Sequence, residues 1–287
     1  MIYIGTCGYA YKDWIGIFYP GKIKSSEMLG YYAQRFRAVE IDASYYGVPS
    51  IRTVESMHAR TPDDFRFSFK APSTLTHPAG AYTQIHDDAG LFAASLRPLL
   101  AAGKLGGVLL QFPNGFKPSP QNETYLERLC ATCEGLPLVA EFRHHDWQTP
   151  HTLELLSSLQ VGWCNVDMPE LESLMLPSSD ATSPTGYVRF HGRNRAQWWS
   201  GTNITRYQYT YTPQELAPWG GRIAEIDEQT KATFAFFNNH ARGGAARNAE
   251  MLLDLLENHY GHGADASIAL PPRGLSEQPG LPGLTLS

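Results

Sequence analysis

The residues with the means to do chemistry fall at regular intervals, each just after a short apolar run. Glu40 follows Ala38-Val39, Lys70 follows Phe67-Ser68-Phe69, and Gln111 follows Val108-Leu109-Leu110. Glu141 closes Leu138-Val139-Ala140, Asp167 closes a run from Val161, and Arg189-Phe190-His191 ends a run from Tyr187. Asn238-Asn239 ends the last run, which begins at Thr233. Carboxylates, a lysine and histidines gathered in this way suit proton transfer, with Lys70 and His77 as acid/base groups and Glu40 or Glu141 as partner. Burial among cations would bring the Lys70 ammonium into a useful range. Lys70 as a Schiff-base amine is a second option that nothing in the residues selects.

The elements that position them are eight strands, read as Ile2–Thr6, Ala38–Asp42, Phe65–Lys70, Gly107–Gln111, Leu138–Glu141, Val161–Asp167, Tyr187–His191 and Thr233–Asn238. A strand that is apolar along its length and polar only at its C-terminal end is the signature of a (β/α)₈ barrel, whose active face is built there. Helical spacing and caps place helices between them. These run from Ser25-Ser26-Glu27 to Phe36, Pro49-Ser50 to Arg60, Asp87 to Ala102 and Gln121 to Glu134. Three more run from Thr149-Pro150 to Leu159, Thr212-Pro213 to Glu228 and Ala246 to His259. Strand–helix alternation implies a parallel sheet. No G-x-G-x-x-G follows the first strand, which weighs against an open dinucleotide-binding sheet. Pro169 to Pro184 replaces much of the sixth helix, and Gly192 to Tyr211 is a long loop carrying Trp198 and Trp199. The fold class expected is therefore α/β, a single TIM barrel with irregular βα loops over residues 1–272. A flexible Pro/Gly-rich tail is expected over 273–287.

Ligand-binding candidates surround the strand ends. Tyr9, Trp14, Tyr45 and Trp147 offer stacking surfaces, and Gln111, Arg143, His144, Asn238 and Asn239 offer hydrogen bonds. Arg189 and Arg193 follow the seventh strand, and Arg247 lies where the last helix opens. Barrels often bind phosphate in the loops after strands seven and eight, at a helix N-terminus. Bidentate arginine contacts add to that preference. An anionic, phosphate-bearing ligand is the expected partner, with a hydrolase or isomerase as the enzyme class. A nucleotide or nucleic-acid binder without catalysis is the alternative.

Composition bounds the rest. A net charge of −5 argues against a chain coated in cations for non-specific nucleic-acid binding. No apolar run reaches the ~20 residues that a membrane span needs. The chain opens on a strand, so no signal peptide is expected, and a reducing cytoplasm is the simplest compartment. Cys130 and Cys133 form a C-x-x-C without a second ligand pair, which fits two buried helix positions better than zinc or redox chemistry. No cofactor is expected.

The blocks GTCGYAYKDWIGIFYP (5–20), VEIDASYYGVPS (39–50), FRFSFKAP (65–72), LLQFPNGF (109–116), VAEFRHHDW (139–147), YVRFHGR (187–193) and FAFFNNHARGGAARNA (234–249) resemble the YecE-like family of unknown function. The resemblance implies a barrel of the broad endonuclease-IV and xylose-isomerase type. It departs at Asp42, where Asn is expected, at His145-Asp146, where Pro-Ser is common, and at Arg242-Gly243-Gly244, a loop usually richer in aromatics. By that fold analogy a metal-dependent phosphoesterase acting on DNA is a further alternative, with zinc or manganese on Glu40, His77, Glu141, Asp167 and His191. The family resemblance also brings a C-terminal motif like a sliding-clamp-binding peptide. Here Leu284-Thr285-Leu286-Ser287 keeps the leucines and lacks the terminal Phe.

Overall fold

Eight parallel strands close on themselves in a computed structural model that describes residues 1–77, 82–202, 204–260 and 268–269. They are β1 (Ile2–Cys7), β2 (Ala38–Ile41), β3 (Arg66–Lys70), β4 (Leu105–Gln111), β5 (Leu138–Glu141), β6 (Gly162–Asp167), β7 (Thr185–Phe190) and β8 (Ala232–Phe237). Each strand pairs with the next in chain order, and β1 returns to β8 through Ile2–Thr233 to Thr6–Phe237. The expected barrel is thus the observed one. Its strand bounds differ by one or two residues, so Asp42, His191 and Asn238 lie one position past the strands they were assigned to.

The helices are α1 (Met28–Arg35), α2 (Ile51–Ala59), α3 (Ser73–Thr76), α4 (Asp88–Ala101), α5 (Pro120–Thr132), α6 (Pro150–Ser158), α7 (Pro213–Gln229) and α8 (Gly244–Tyr260). Their starts follow local chemistry. Ser50, Ser119 and Thr149 each accept a hydrogen bond from a backbone N–H three residues on. Thr212 and Glu215 form a full capping box before α7. α1 begins later than expected, at Met28, and α8 begins earlier, at Gly244. The short α3 was not foreseen. Residues 168–184 contain no helix, in line with the Pro-rich sequence there.

The core fills the space inside and around the barrel. Tyr3 and Phe234 stack at 5.0 Å, and Gly106 leaves room for Phe234, whose ring would lie 2.4 Å from an added Cβ. Gly5 lets β1 approach β2 so closely that a Cβ would stand 2.1 Å from the Ala38 carbonyl oxygen. Cys130 and Cys133 are buried, Cys133 as the residue that ends α5, and no metal cluster includes them among the described residues. No helix among the described residues is long and apolar enough to cross a membrane. The expected flexible tail and its clamp-like motif, at 273–287, lie outside the described residues.

Candidate functional site

The C-terminal ends of the strands meet over Arg189. Alternation along β7 turns Tyr187 and Arg189 to the same face, the barrel interior, and both are buried. One guanidinium nitrogen of Arg189 donates to Glu40 Oε1 at 2.6 Å, and another donates to Glu141 Oε2 at 2.6 Å. Tyr187 donates to Glu40 Oε2 at 2.6 Å, and its hydroxyl also meets Ser68 Oγ at 2.6 Å. Strands β2, β3, β5 and β7 are thereby joined across the interior. Such charges are tolerable away from water only when paired and hydrogen-bonded.

The two carboxylates titrate in opposite directions. Burial raises Glu40, and the nearby Asp42 adds to this against the attraction of Arg189. Burial also acts to raise Glu141, but Arg143, Arg189 and His191 outweigh it and hold the carboxyl well below its ordinary range. Arg143 Nε stands 2.5 Å from Glu141 Oε1, a charge contact in which the N–H is not aimed along a hydrogen bond. His191 is fully buried and desolvation brings it down to about 3, so the imidazole is neutral. The tautomer that fits has Nε2–H donating to Glu141 Oε1 and Nδ1 accepting from the Asn238 amide, both at 3.1 Å.

Above this layer opens a cavity of about 650 Å³. Among the described residues its charged lining is Lys70, Arg143, Arg189 and Arg206, with Asp42 as the carboxylate. Lys70 Nζ lies 4.2 Å over the Tyr45 ring and has no ion-pair partner among the described residues. Desolvation lowers its pKa, Asp42 opposes this, and Arg189 reinforces it. His77 packs edge-on against Tyr45 at 5.3 Å, and burial with Lys70 and Arg143 brings it down to about 4. Tyr9, Gln111 and Asn238 also line the cavity, with the Gln111 amide donating to the Phe112 carbonyl at 2.8 Å.

The remaining expected site residues lie elsewhere, and each has a physical reason. Asp167 is buried beside the barrel mouth. Both its oxygens are filled by Arg193 (2.9 and 2.6 Å), Tyr211 (2.7 Å) and Trp219 (2.7 Å), which commits Asp167 and Arg193 to a structural pair. Trp14 and Trp147 are core residues whose indoles donate to the carbonyls of His240 and Phe116, so neither is a stacking platform. His144 is buried under its own turn, where Nδ1 accepts from the Asp146 N–H at 3.2 Å. Asn239 is held by the Tyr209 carbonyl and Asn248. Arg247 lines a separate cleft with Arg242 and Glu215, so it does not join Arg189 around one anion as expected. His191 lies beneath the cavity, and Glu40 and Glu141 are engaged by arginine instead of facing a ligand.

Cys7, Glu40 and Asp42 lie close enough together to hold a metal ion. Arg189 already reaches all three, at 3.4 Å from Cys7 Sγ, 2.6 Å from Glu40 and 3.5 Å from Asp42. A metal here would have to displace a guanidinium. A second group, buried His144 with exposed His145 and Asp146, sits on the turn after β5 and is linked by its own contacts at 3.2 and 3.0 Å.

Sequence reasoning missed two tyrosines. Tyr187 was signalled by its two-residue spacing from Arg189 and His191. Tyr207 lines the cavity from the long loop after β7, where no periodicity marks which side chains turn inward. Trp198, from the same loop, is buried with its ring 5.9 Å from the Arg143 guanidinium carbon.

The comparisons agree with this architecture. The chain is 36% identical over 275 residues to the UPF0759 protein YunF of Bacillus subtilis, covering 91% of this chain and 96% of that one. It is 35% identical over 118 residues to the UPF0759 protein YecE of Escherichia coli, covering 41% of this chain and 40% of that one. Among solved structures, a DUF72 family protein from Thermotoga maritima matches with a TM-score of 0.82 and 36% identity, over 90% of this chain and 99% of that one. A DUF72 family protein from Enterococcus faecalis matches with a TM-score of 0.78 and 28% identity, over 90% and 96%. The family profile described as protein of unknown function DUF72 matches residues 3–272, and the chain belongs to that family.

Proposed function

We propose that the mouth binds a compact anionic ligand, phosphate-bearing in the simplest case, and performs acid–base chemistry on it as an enzyme. The observation that carries this reading is the charge balance of the lining. Glu40 and Glu141 neutralise Arg189 and Arg143 from below, which leaves Lys70 and Arg206 set against Asp42. A cavity walled by Tyr9, Tyr45 and Trp198 lowers the local dielectric, so this surplus acts strongly on an anion. Lys70, with its ammonium destabilised by burial, gives up a proton more readily than an ordinary lysine.

The metal-dependent phosphoesterase reading is disfavoured by the guanidinium lying among Cys7, Glu40 and Asp42. Nucleic-acid binding has one observation of its own. Tyr46 is 80% exposed and Trp199 57% exposed at the cavity rim, and exposed rings beside cations suit base stacking.

Calorimetric titration with inorganic phosphate and with simple sugar phosphates tests the main reading. Lys70→Met and Arg206→Met should each weaken binding by about tenfold or more, corresponding to about 1.4 kcal/mol. Equal affinity in the variants refutes it. Preference for a short single-stranded oligonucleotide, lost in Trp199→Ala, favours the second reading.

A further inference from the structure

We propose that Tyr207 is the proton-transfer partner of Lys70 in the cavity, its hydroxyl exchanging a proton directly with the anionic ligand. This rests on the reading of the mouth given above and replaces the buried carboxylates, which the structure commits to Arg189.

The position of the ring supports the role. Tyr207 lines the cavity from the loop between β7 and α7, held edge-on by Trp198 at 6.0 Å and against the His191 ring at 5.9 Å. The charged and titratable groups that face it come from three strands. Arg143 and Glu141 come from β5 and its loop, Lys70 from β3, and Arg189 from β7. The Arg143 guanidinium is the strongest cationic influence on the phenol, and Tyr45 approaches from the turn after β2. His191 is neutral and presents only a ring. Burial alone would raise the phenol. Arg143, Lys70 and Arg189 together outweigh it, even against Glu141, and bring it below its ordinary range. Tyr207 lines the cavity among these cations, whereas the oxygens of the carboxylates beneath it are filled by Arg189, Tyr187 and His191.

The step balances without a co-reactant. The Tyr207 phenolate oxygen takes a proton from an O–H or C–H of the ligand. An O–H bond forms on Tyr207, the ligand bond to hydrogen breaks, and its electron pair stays on the ligand atom beside the Lys70 ammonium. Return of the proton from the phenol to the ligand, at the same or a neighbouring atom, restores the site.

The test follows ionised tyrosine by ultraviolet absorbance in the full chain, between about pH 7 and 11, against an ordinary tyrosine value of about 10. One phenol should ionise ahead of the others, and Tyr207→Phe should lose it. Saturating inorganic phosphate should move that phenol upward, because a bound anion opposes the phenolate. Lys70→Met should also move it upward with Tyr207 in place, which covers the case in which Tyr207→Phe folds poorly. An early phenol that persists in Tyr207→Phe, no early phenol at all, or one indifferent to bound phosphate overturns the proposal. If phosphate does not bind, but the early phenol is present and vanishes in Tyr207→Phe, the anion reading fails while the assignment of Tyr207 is supported.

Discussion

Replacing Arg189 with methionine removes the cation that holds two buried carboxylates. Both lose a 2.6 Å charge-assisted hydrogen bond, but they are left in different situations. Glu141 keeps the Arg143 contact at 2.5 Å, whereas Glu40 keeps the Tyr187 hydroxyl at 2.6 Å and no cation among its hydrogen-bond partners in the described residues. Removing one partner of a buried pair costs about 3–5 kcal/mol, a large share of the ~5–15 kcal/mol that holds a domain together. The stranded Glu40 then takes up a proton in the folded state. Its folded pKa, already raised, rises further above the unfolded value of about 4.3. Over that interval the folded chain binds one more proton than the unfolded chain, so acidification restores stability by up to ~1.4 kcal/mol per pH unit. Urea unfolding of Arg189→Met and the parent chain at about pH 7 and about pH 5 measures this, and the gap should narrow at the lower pH. A deficit under ~1 kcal/mol at neutral pH, or a gap that widens on acidification, refutes the argument. The double variant Glu40→Gln/Arg189→Met should recover most of the loss at neutral pH, since no unpaired charge remains.

Other outcomes follow from neighbouring features. His191 is held at about 3 when folded, against about 6.5 unfolded, so the unfolded chain binds the extra proton between those values. Its contribution is complete above about pH 6.5 and is lost as pH falls towards 3, with a ceiling on the order of 5 kcal/mol that the raised Glu40 partly offsets. His191→Gln should flatten that acid limb in a urea series. Arg193→Met should cost roughly 2 kcal/mol by weakening the support of buried Asp167, yet leave phosphate affinity unchanged in calorimetry. Trp147→Phe should cost about 1–3 kcal/mol by leaving the Phe116 carbonyl without its donor, again with no effect on phosphate binding. Gly5→Ala should fail to fold, because its Cβ would meet a backbone carbonyl oxygen at 2.1 Å, and circular dichroism of the expressed chain decides this.

The barrel was legible because its signal is local. Each strand carries its own apolar run and polar end, and Ser50, Thr149 and Thr212 mark helix starts within four residues. The division of labour at the strand ends was not legible. Asp167 is filled by Tyr211 and Trp219, which lie 44 and 52 residues away. Nothing near Asp167 in sequence foretells them. Trp14 and Trp147 read as stacking surfaces because aromatic residues after strand ends can turn either way, and their indole N–H groups find backbone carbonyls below the surface. The lopsided charge, with carboxylates early and arginines late, was visible. Distance alone revealed that the two halves neutralise one another through Arg189.

That neutralisation also ties parts of the chain made at very different times. Glu40 precedes Arg189 by 149 residues and Glu141 precedes it by 48. Until β7 emerges from the ribosome, Glu40 on β2 lacks its guanidinium partner and Glu141 on β5 has only part of its own, from Arg143, so early closure of the barrel would strand Glu40. The first five strands are therefore not a free-standing half. Fragments ending before Arg189 should stay open and protease-sensitive, and the barrel becomes a single cooperative unit only once the seventh strand arrives.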